Sequence, residues 1–257
     1  MSEPRTVWVT GAASGMGAAH ARRFAELGDR VGCLDVQAET LEEVVQGIRA
    51  HGGLAQGVVA DVTDWEALQA GAETLREALG PAEVVVANAG IILSGERIEE
   101  LDPDAWQRVI DVNLTGAFLT ARAAIPQLRE AGDGSLILVS SVCGLTASAG
   151  FGAYNASKHG VIGLMRTLAN ELGADGITVN AVCPGWVRTP MLGASDEDAG
   201  VSGDDLAAFT RMNLIERLIE PEDVTEAVVW LASDGARMVT GTALPVDAGL
   251  MEKRAWP

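Results

Sequence analysis

Short apolar runs alternate with helical patterns along almost the whole 257-residue chain. TVWVT begins at Thr6 and VGCLDV ends at Val36, and the later runs are LAQGVVADV, AEVVVANAG, GSLILVSS, ITVNAVCPG and TGTALPVDAG. Most of them are separated by a dozen or more residues with helical apolar spacing. Strands that are apolar throughout need cover on both faces, and this alternation is typical of a parallel sheet between helices. The sequence predicts an α/β fold with a doubly wound parallel sheet of about seven strands.

Two places interrupt this regular pattern. Residues from about 190 to 220 are acidic, contain glycine and directly follow a strand, which favours a substrate-binding lid because long insertions in compact domains are usually functional. The helical stretch from about Pro103 to Ala131 contains Pro126, where we expect a kink. No linker, repeat or low-complexity segment breaks the alternation. We therefore expect one domain over residues 1–257.

The charge balance excludes several kinds of partner. The formal net charge is −18, from 36 acidic and 18 basic residues. Such a surface repels nucleic-acid phosphates, anionic membranes and acidic carrier proteins.

No apolar run approaches the roughly 20 residues that span a bilayer, and the first residues lack a secretory-signal pattern. Three cysteines and three histidines without paired spacing indicate neither disulfides nor a metal site. We expect a cytoplasmic protein without metal.

A glycine-rich turn, TGAASGMG, spans Thr10 to Gly17 between the first strand and the first helix. Glycines let the backbone approach a pyrophosphate, and the helix N-terminus offers amide donors. Its GxxxGxG spacing differs from the commoner GxGxxG fingerprint, so a simple tight turn is the alternative interpretation. Asp35 ends the second strand, where a carboxylate accepts hydrogen bonds from an adenosine ribose. It would repel a 2′-phosphate, which favours NAD over NADP.

The motif YNASK holds the only tyrosine, Tyr154, four residues before Lys158. In a helix this spacing places both side chains on one face, and a nearby cation lowers a phenol pKa. Such a pair exchanges protons with a hydroxyl or carbonyl group. A half-buried tyrosine beside a solvated lysine gives the same short motif. The choice between the two interpretations depends on what the other strand ends carry.

Polar residues follow several predicted strands: Asp61, Asn88 in the NAG turn, Ser140 and Ser141. Singly, such residues are common caps and turns. In an open α/β sheet, however, ligands bind beyond the carboxyl ends of the strands. We expect these residues to line one crevice together with the YNASK helix.

In this order and spacing, the motifs resemble those of the short-chain dehydrogenases/reductases (SDRs) along essentially the whole chain. The matching pieces are TGAASGMG, the acid Asp35, DV at Asp61, NAG at Asn88, Asn113 in DVNLTG, Ser141, YNASK, and PGWVRTP from Pro184. Two details depart from the family pattern. Ala87 stands where asparagine is common, and Ala248 stands where many relatives carry glycine.

The resemblance implies a Rossmann-type fold and a role for each matching residue. Tyr154 would be the general acid/base on the substrate oxygen, and Lys158 would lower its pKa and bind the nicotinamide ribose. Ser141 would hydrogen-bond the substrate oxygen. Asn113 would hold a water that relays protons from Lys158 to solvent.

The same resemblance implies where cofactor and substrate bind. Besides Tyr154 and Lys158, the expected NAD residues are Gly11, Ser14, Gly15, Met16, Gly17, Asp35, Val36, Asp61, Val62, Asn88, Ala89, Gly90, Pro184, Gly185, Val187 and Thr189. The expected substrate residues are Ser141, Cys143, Leu145, Tyr154, Trp186, Met191 and Leu192. Five of these residues carry no charge, which argues against a strongly anionic substrate: Cys143, Leu145, Trp186, Met191 and Leu192.

The sequence thus predicts an oxidoreductase that transfers a hydride between NAD(H) and a small, mostly apolar secondary alcohol or ketone. A 3-oxoacyl-carrier-protein reductase is the first alternative, although Asp35 and the acidic surface speak against NADPH and a basic docking face. A catalytically silent NAD sensor is the second, although such proteins tend to lack Tyr or Lys of the pair. The family also implies a homotetramer.

Overall fold

A single parallel sheet of seven strands forms the centre of the protein. The computed structural model describes residues 4–192 and 203–253, and in the second range it describes side chains from residue 207 onward. The strand order is β3-β2-β1-β4-β5-β6-β7, with every neighbouring pair parallel. The strands are β1 (Thr6–Thr10), β2 (Arg30–Asp35), β3 (Leu54–Val59), β4 (Val84–Ala87), β5 (Ser135–Val139), β6 (Thr178–Pro184) and β7 (Ala243–Val246). The predicted fold class and strand number are confirmed.

Helices cover both faces of this sheet. They are α1 (Gly15–Glu26), α2 (Ala38–Ala50), α3 (Trp65–Leu79), α4 (Pro103–Ile110), α5 (Gly116–Ala131), α6 (Gly152–Leu172), α7 (Gly203–Met212) and α8 (Pro221–Leu231). Among the described residues, no helix is long and apolar enough to cross a membrane. Of the stretch expected to act as a lid, α7 and a short turn at Pro190–Leu192 are described, whereas 193–202 lie outside the described residues.

The core has two apolar layers, one on each side of the sheet. One layer buries side chains of α3, α5 and α6, including Leu75, Leu128 and Met165. The other buries side chains of α1, α2 and α8, including Phe24 and Val45. Residues that alternate along each strand therefore enter different layers, which explains why the strands are apolar on both faces.

The long helical stretch is divided into two helices by a turn that the sequence analysis did not predict. Pro126 lies inside α5, which continues through it to Ala131. The dividing turn is π-helical and spans Asp111–Thr115, where the Gly116 amide donates to the Asp111 carbonyl. A π turn inserts one extra residue into a helix and is frequent at functional sites. Here it lies where the helix passes the carboxyl ends of the strands.

The chain ends its described part in a tight turn after β7. Asp247 accepts hydrogen bonds from the amides of Gly249 (3.0 Å) and Met251 (3.0 Å). Ala248, at the position where glycine is common in the family, has a φ of +52°. This left-handed conformation is uncommon for a residue with a Cβ atom. The alanine is accommodated at a small local cost in backbone strain.

His20 is the most unusual core residue, because it is a fully buried histidine between α1 and α8. Its Nδ1 lies 2.7 Å from Thr225 Oγ1, and that hydroxyl donates to the Pro221 carbonyl. Nδ1 therefore carries the proton, while Nε2 is buried with no partner among the described residues. Burial lowers the pKa of His20 from 6.5 to about 3. The fold requires the neutral ring.

Acid should therefore destabilise the protein through His20. The unfolded chain binds a proton at this residue below pH 6.5, whereas the folded chain does so only near pH 3. Stability present at neutral pH is lost as pH falls through this window, by at most about 1.4 kcal/mol per pH unit. Urea unfolding at a series of pH values should show this slope in the wild-type protein and a smaller one in His20→Gln. His51→Gln removes an exposed histidine and should retain the wild-type slope.

Candidate active site

Two connected cavities open at the carboxyl ends of the strands. The larger, of about 630 Å³, lies where the strand order reverses between β1 and β4, the usual ligand position in such sheets. The smaller, of about 210 Å³, lies beside it under α6 and the chain after β6. Met16, Thr189 and Met191 line both. Ligands bound in the two cavities would therefore lie next to each other.

The glycine turn brings backbone close to the larger cavity. Gly11 has a φ of +67°, and a Cβ on Gly17 would lie 1.9 Å from the Gly11 carbonyl oxygen. Only glycine fits at either position. Helix α1 begins just after Ser14, whose side chain makes no capping bond, and no acidic residue lies in its first turn. Free amides at a helix N-terminus suit a pyrophosphate, so this part of the cavity fits a dinucleotide.

Thr10 and Asn88 join the ends of β1 and β4. The Asn88 side-chain amide donates to the carbonyls of Thr10 (2.9 Å) and Gly11 (3.2 Å). In return, Thr10 Oγ1 accepts from the amides of Asn88 (3.1 Å) and Ala89 (3.2 Å). The NAG turn is thus held against the glycine turn. Sequence reasoning did not assign this positioning role to Thr10, although a hydroxyl at a strand end is a recognisable signal.

Asp35 lies at the far end of the larger cavity. One carboxylate oxygen accepts from the Ala13 amide (3.0 Å) and the other from the Gln37 amide (2.9 Å). Each oxygen keeps capacity for another hydrogen bond, because a carboxylate accepts about four in all. The neighbouring Val36 and Gln37 carry no charge and also line the cavity. This arrangement fits a ribose with free hydroxyls better than a phosphorylated one.

The structure gathers most of the predicted cofactor residues around the larger cavity. They are Gly11, Ser14, Gly15, Met16, Gly17, Asp35, Val36, Asp61, Val62, Asn88, Ala89, Gly90 and Thr189. Pro184, Gly185 and Val187 line the smaller cavity instead. Sequence reasoning missed one patch of this lining, from helix α4 and the π turn, comprising Asp104, Gln107, Arg108, Asp111 and Val112. Asp111 and Val112 directly precede Asn113 in DVNLTG, yet only the asparagine of that motif was assigned a role, and Asp104, Gln107 and Arg108 belong to no motif.

Tyr154 lines the smaller cavity and is 8% exposed. Burial raises its pKa to about 12, and a hydrogen bond with the Ser141 side chain only partly opposes this. The Ser141 hydroxyl also accepts from the Cys143 amide (3.1 Å) and lies 3.4 Å from the Pro184 carbonyl oxygen. Tyr154 and Ser141 thus line the same cavity, where a single substrate oxygen could contact both hydroxyl groups.

Lys158 is buried one helical turn from Tyr154. Its Nζ donates to the Val139 carbonyl (3.0 Å) and lies 5.6 Å from the centre of the Tyr154 ring. Burial lowers the pKa of the ammonium group to about 8. From the sequence we expected Lys158 to lower the pKa of Tyr154. In the folded chain the pKa of Tyr154 is raised instead, because the loss of water around both groups outweighs the attraction between them.

Asn113 connects the π turn to the same region. Its side-chain oxygen accepts from the Ile91 amide (2.8 Å), while its nitrogen donates to the Ile91 carbonyl (2.9 Å) and to Ser157 Oγ (3.1 Å). A Cβ on Gly90 would lie 3.2 Å from Asn113 Oδ1 and 3.4 Å from Lys158 Nζ. The Asn113 side chain therefore holds the chain after the NAG turn close to the lysine.

The smaller cavity has no charged residue in its described lining. Its residues are Met16, Ile92, Ser140, Ser141, Val142, Cys143, Thr146, Ser148, Phe151, Tyr154, Pro184, Gly185, Trp186, Val187, Thr189, Met191, Leu192, Met212, Leu250 and Met251. Of the predicted substrate residues, Leu145 is the one outside this set, because it packs against the core layer of α3, α5 and α6. The sequence missed Met212, Leu250 and Met251, which lie 58 or more residues after Tyr154.

A row of aromatic rings forms one side of the smaller cavity. Phe151 meets the Tyr154 ring edge-on at 6.5 Å and the Trp186 ring at 6.4 Å. Trp186 stacks on Phe209 of α7 at 4.3 Å. Such ring contacts add stability beyond the apolar area they bury. They tie helix α7 to the wall that contains Tyr154.

Comparisons with known proteins agree with this arrangement. A family model described as "Enoyl-(Acyl carrier protein) reductase" matches residues 11–251. The cis-4-hydroxycyclohexanecarboxylate dehydrogenase of Sinomonas cyclohexanicum is 42% identical, over 95% of this chain and 96% of that protein. The cyclohexanol dehydrogenase of Acinetobacter sp. (strain SE19) is 34% identical, over 95% and 94%. The crystal structure of a carveol dehydrogenase from Mycobacterium avium in complex with NAD has a TM-score of 0.91 at 35% identity, covering 97% of this chain and 98% of that one.

The fold, the glycine turn and the Tyr–Lys pair define a dinucleotide-dependent oxidoreductase. The chain belongs to the short-chain dehydrogenase/reductase family.

Replacement of Asp35 should reduce the preference for NAD. In Asp35→Ser the ribose hydroxyls lose a charged acceptor, whose hydrogen bonds are worth about 1.5–3 kcal/mol. We expect NAD affinity to fall about 10- to 100-fold while NADP affinity holds or rises, measured by calorimetric titration. Glu39→Ser removes one negative charge from an exposed position on α2 and should leave both affinities unchanged. An unaltered NAD/NADP ratio in Asp35→Ser would contradict the assignment.

Proposed function

We propose that the protein oxidises neutral, cyclic secondary alcohols with NAD and reduces the corresponding ketones with NADH. The observation that carries this proposal is that Tyr154 and Ser141 line one uncharged cavity, which adjoins the larger cavity that fits a dinucleotide. The relatives named for cyclohexanol, carveol and a hydroxycyclohexane support the ring-shaped substrate.

The chemistry requires one proton acceptor and one hydride acceptor. Bound NAD supplies the hydride acceptor. Ser141 and Tyr154 would hold the alcohol oxygen, and Tyr154 would take the hydroxyl proton when the carbinol carbon is oxidised to the carbonyl. Lys158 favours the deprotonated state of the phenol, and Asn113 holds the backbone that leads to it. Ketone reduction reverses each step.

The uncharged lining also selects against substrates with a carboxylate. A carboxylate that loses water without gaining a partner pays a large desolvation penalty. Among the described lining residues none is basic, and the nearby Lys158 lies outside the lining set. The relative from Sinomonas is named for a hydroxycyclohexane that carries a carboxylate. We propose that this chain prefers the neutral ring.

Two other functions are less well supported. A 3-oxoacyl-carrier-protein reductase would need a docking face for an acidic carrier, against a net charge of −18, and Asp35 opposes NADPH. A silent NAD sensor would have no reason to retain Tyr154, Lys158 and Ser141 around an open apolar cavity.

We further propose one domain over residues 1–257 with a lid at about 190–220, and a cytoplasmic location.

We also propose that the protein is a homotetramer. Exposed apolar side chains support association of subunits: Phe118 on α5 is 45% exposed, Trp230 on α8 is 44% exposed and Met238 is 87% exposed. Helices around Ala105–Leu128 and Ala153–Leu172 would pair across subunits. Light scattering of the eluted protein measures the mass directly.

Tyr154→Phe should remove turnover and leave cofactor binding intact. Loss of a general acid/base costs about 100-fold or more in kcat, whereas the ring and its packing remain. NADH formation from cyclohexanol and calorimetric NAD titration separate the two effects. His159→Gln, on the exposed side of the same helix, is the control and should keep its activity. Full turnover in Tyr154→Phe would exclude the mechanism.

The pH dependence should have opposite signs in the two directions. Alcohol oxidation needs a deprotonated acceptor, and burial raises the pKa of Tyr154 to about 12 and lowers that of Lys158 to about 8. We expect kcat/KM for oxidation to rise as pH increases above neutrality, while that for ketone reduction falls. Initial rates in both directions across the alkaline range test this, and equal slopes would count against a titrating Tyr–Lys pair.

The substrate preference is tested with two cyclic alcohols, one of which carries an additional carboxylate group. Cyclohexanol should have a kcat/KM at least about 100-fold above that of cis-4-hydroxycyclohexanecarboxylate, since an unpaired buried charge costs several kcal/mol. The methyl ester of the acid is the control for size and should recover much of the rate. Equal rates for acid and alcohol would show that the carboxylate finds a partner.

A further inference from the structure

The chain contains only two lysines, Lys158 and Lys253, among 18 basic residues. The first is buried beside Tyr154. The second lies in the turn after β7, and its side chain is 32% exposed. The remaining basic residues are all arginines. Apart from Lys158, Lys253 is therefore the only side chain of the sequence with a compact ammonium group.

Lys253 binds the end of helix α7. Its Nζ donates to the carbonyls of Arg211 (2.5 Å) and Asn213 (2.8 Å), and it lies 3.6 Å from the Glu216 carboxylate. Arg211 belongs to the last turn of α7, where carbonyl groups lack helical partners and carry partial negative charge. A cation placed there stabilises the helix end. Lys253 is therefore a C-terminal cap supplied by a distant part of the chain.

The backbone of the same turn binds the residues that follow α7. The Ala248 carbonyl accepts from the amides of Leu214 (2.9 Å) and Ile215 (3.0 Å). A Cβ on Gly249 would lie 2.7 Å from the Leu214 side chain, so the two segments are in close contact. The turn and the end of α7 are thus fixed to each other by main-chain bonds on one side and by Lys253 on the other.

Both joined segments face the smaller cavity. Met212, the last residue of α7, and Leu250 and Met251 of the turn belong to its lining. Phe209, one turn earlier in α7, stacks on Trp186. Methionine side chains are flexible and take their position from the backbone that carries them. The outer wall of the cavity is therefore only as well defined as the junction between α7 and the turn.

We propose that Lys253 is a positioning residue for substrate binding: by capping α7 it sets the place of Met212 and Met251 against the substrate ring. This inference rests on the proposed function of the cavity. It gives Lys253 no contact with the reacting atoms or with the cofactor. Its loss acts on the affinity for the alcohol and leaves the chemical step and NAD binding unchanged.

The test compares Lys253→Met, which keeps most of the unbranched side chain but removes the ammonium group, with Lys253→Arg and Glu216→Gln. We expect Lys253→Met to raise the KM for cyclohexanol about tenfold, the equivalent of one charge-assisted hydrogen bond. Its kcat and its NAD affinity should stay near the wild-type values. Lys253→Arg should recover most of the loss. Glu216→Gln removes only the longest contact and should behave as the wild type.

Hydrogen exchange of the same variants reports on the cap without any turnover. Lys253→Met should speed exchange of the amides at residues 210–216 and leave those of β7 unchanged. If no alcohol is oxidised by the wild-type protein, the proposed function fails, while this exchange result still decides whether the cap exists. Unchanged KM together with unchanged exchange would overturn the inference. Equal losses of alcohol affinity, NAD affinity and thermal stability would overturn it as well, because they indicate general unfolding.

Discussion

The site depends on a buried ammonium group that holds the end of a strand to the middle of a helix. Lys158 Nζ donates to the carbonyl of Val139, the last residue of β5, and the Ser140 hydroxyl donates to the Lys158 carbonyl. These two bonds fix α6 relative to the sheet at the turn that carries Tyr154. A buried ammonium group must satisfy its donors, since it pays a large desolvation penalty. The lysine is thus part of the scaffold as well as of the proposed chemistry.

The two cavities differ in charge: the described lining of the larger is mainly acidic, and that of the smaller is uncharged. Asp35, Asp61, Asp104 and Asp111 line the dinucleotide cavity, with Arg108 the only basic residue in its described lining. A cofactor that carries a pyrophosphate therefore depends on backbone amides at the start of α1 more than on side-chain cations. The smaller cavity, where we propose that the substrate binds, has hydroxyls, a thiol, methionines and aromatic rings. Recognition there rests on shape and on two hydroxyl groups, which suits a small molecule with one oxygen.

Much of this organisation follows from local sequence patterns. The alternation of strands and helices predicts the sheet, because apolar runs of this length need cover on both faces. The glycine turn, Asp35 and the Tyr–Lys pair are predicted because each has a fixed spacing and a fixed place at a strand end. Only glycine fits at Gly11 and Gly17, and that steric demand is visible in the sequence.

The rest depends on contacts between distant segments. Arg108 lines the cofactor cavity from α4 and Asp111 from the π turn, and neither residue type by itself marks a cofactor site. Leu145 looked like a pocket residue from its place near Ser141, yet the short turn after Ser141 directs it into the core. Met212 and Met251 enter the lining because α7 and the last turn meet. The high phenol pKa likewise reflects burial, which is a property of the assembled fold.

The scarcity of lysine has a practical consequence for covalent chemistry on this protein. Reagents that acylate amines or couple proteins to a solid support react with accessible, deprotonated amino groups. Lys158 is 4% exposed, so Lys253 is the side chain that such reagents meet first. Attachment through lysine side chains would therefore be directed to Lys253, beside the smaller cavity. Attachment through carboxylates would be spread over many positions, and the exposed Glu216 next to Lys253 is one of them.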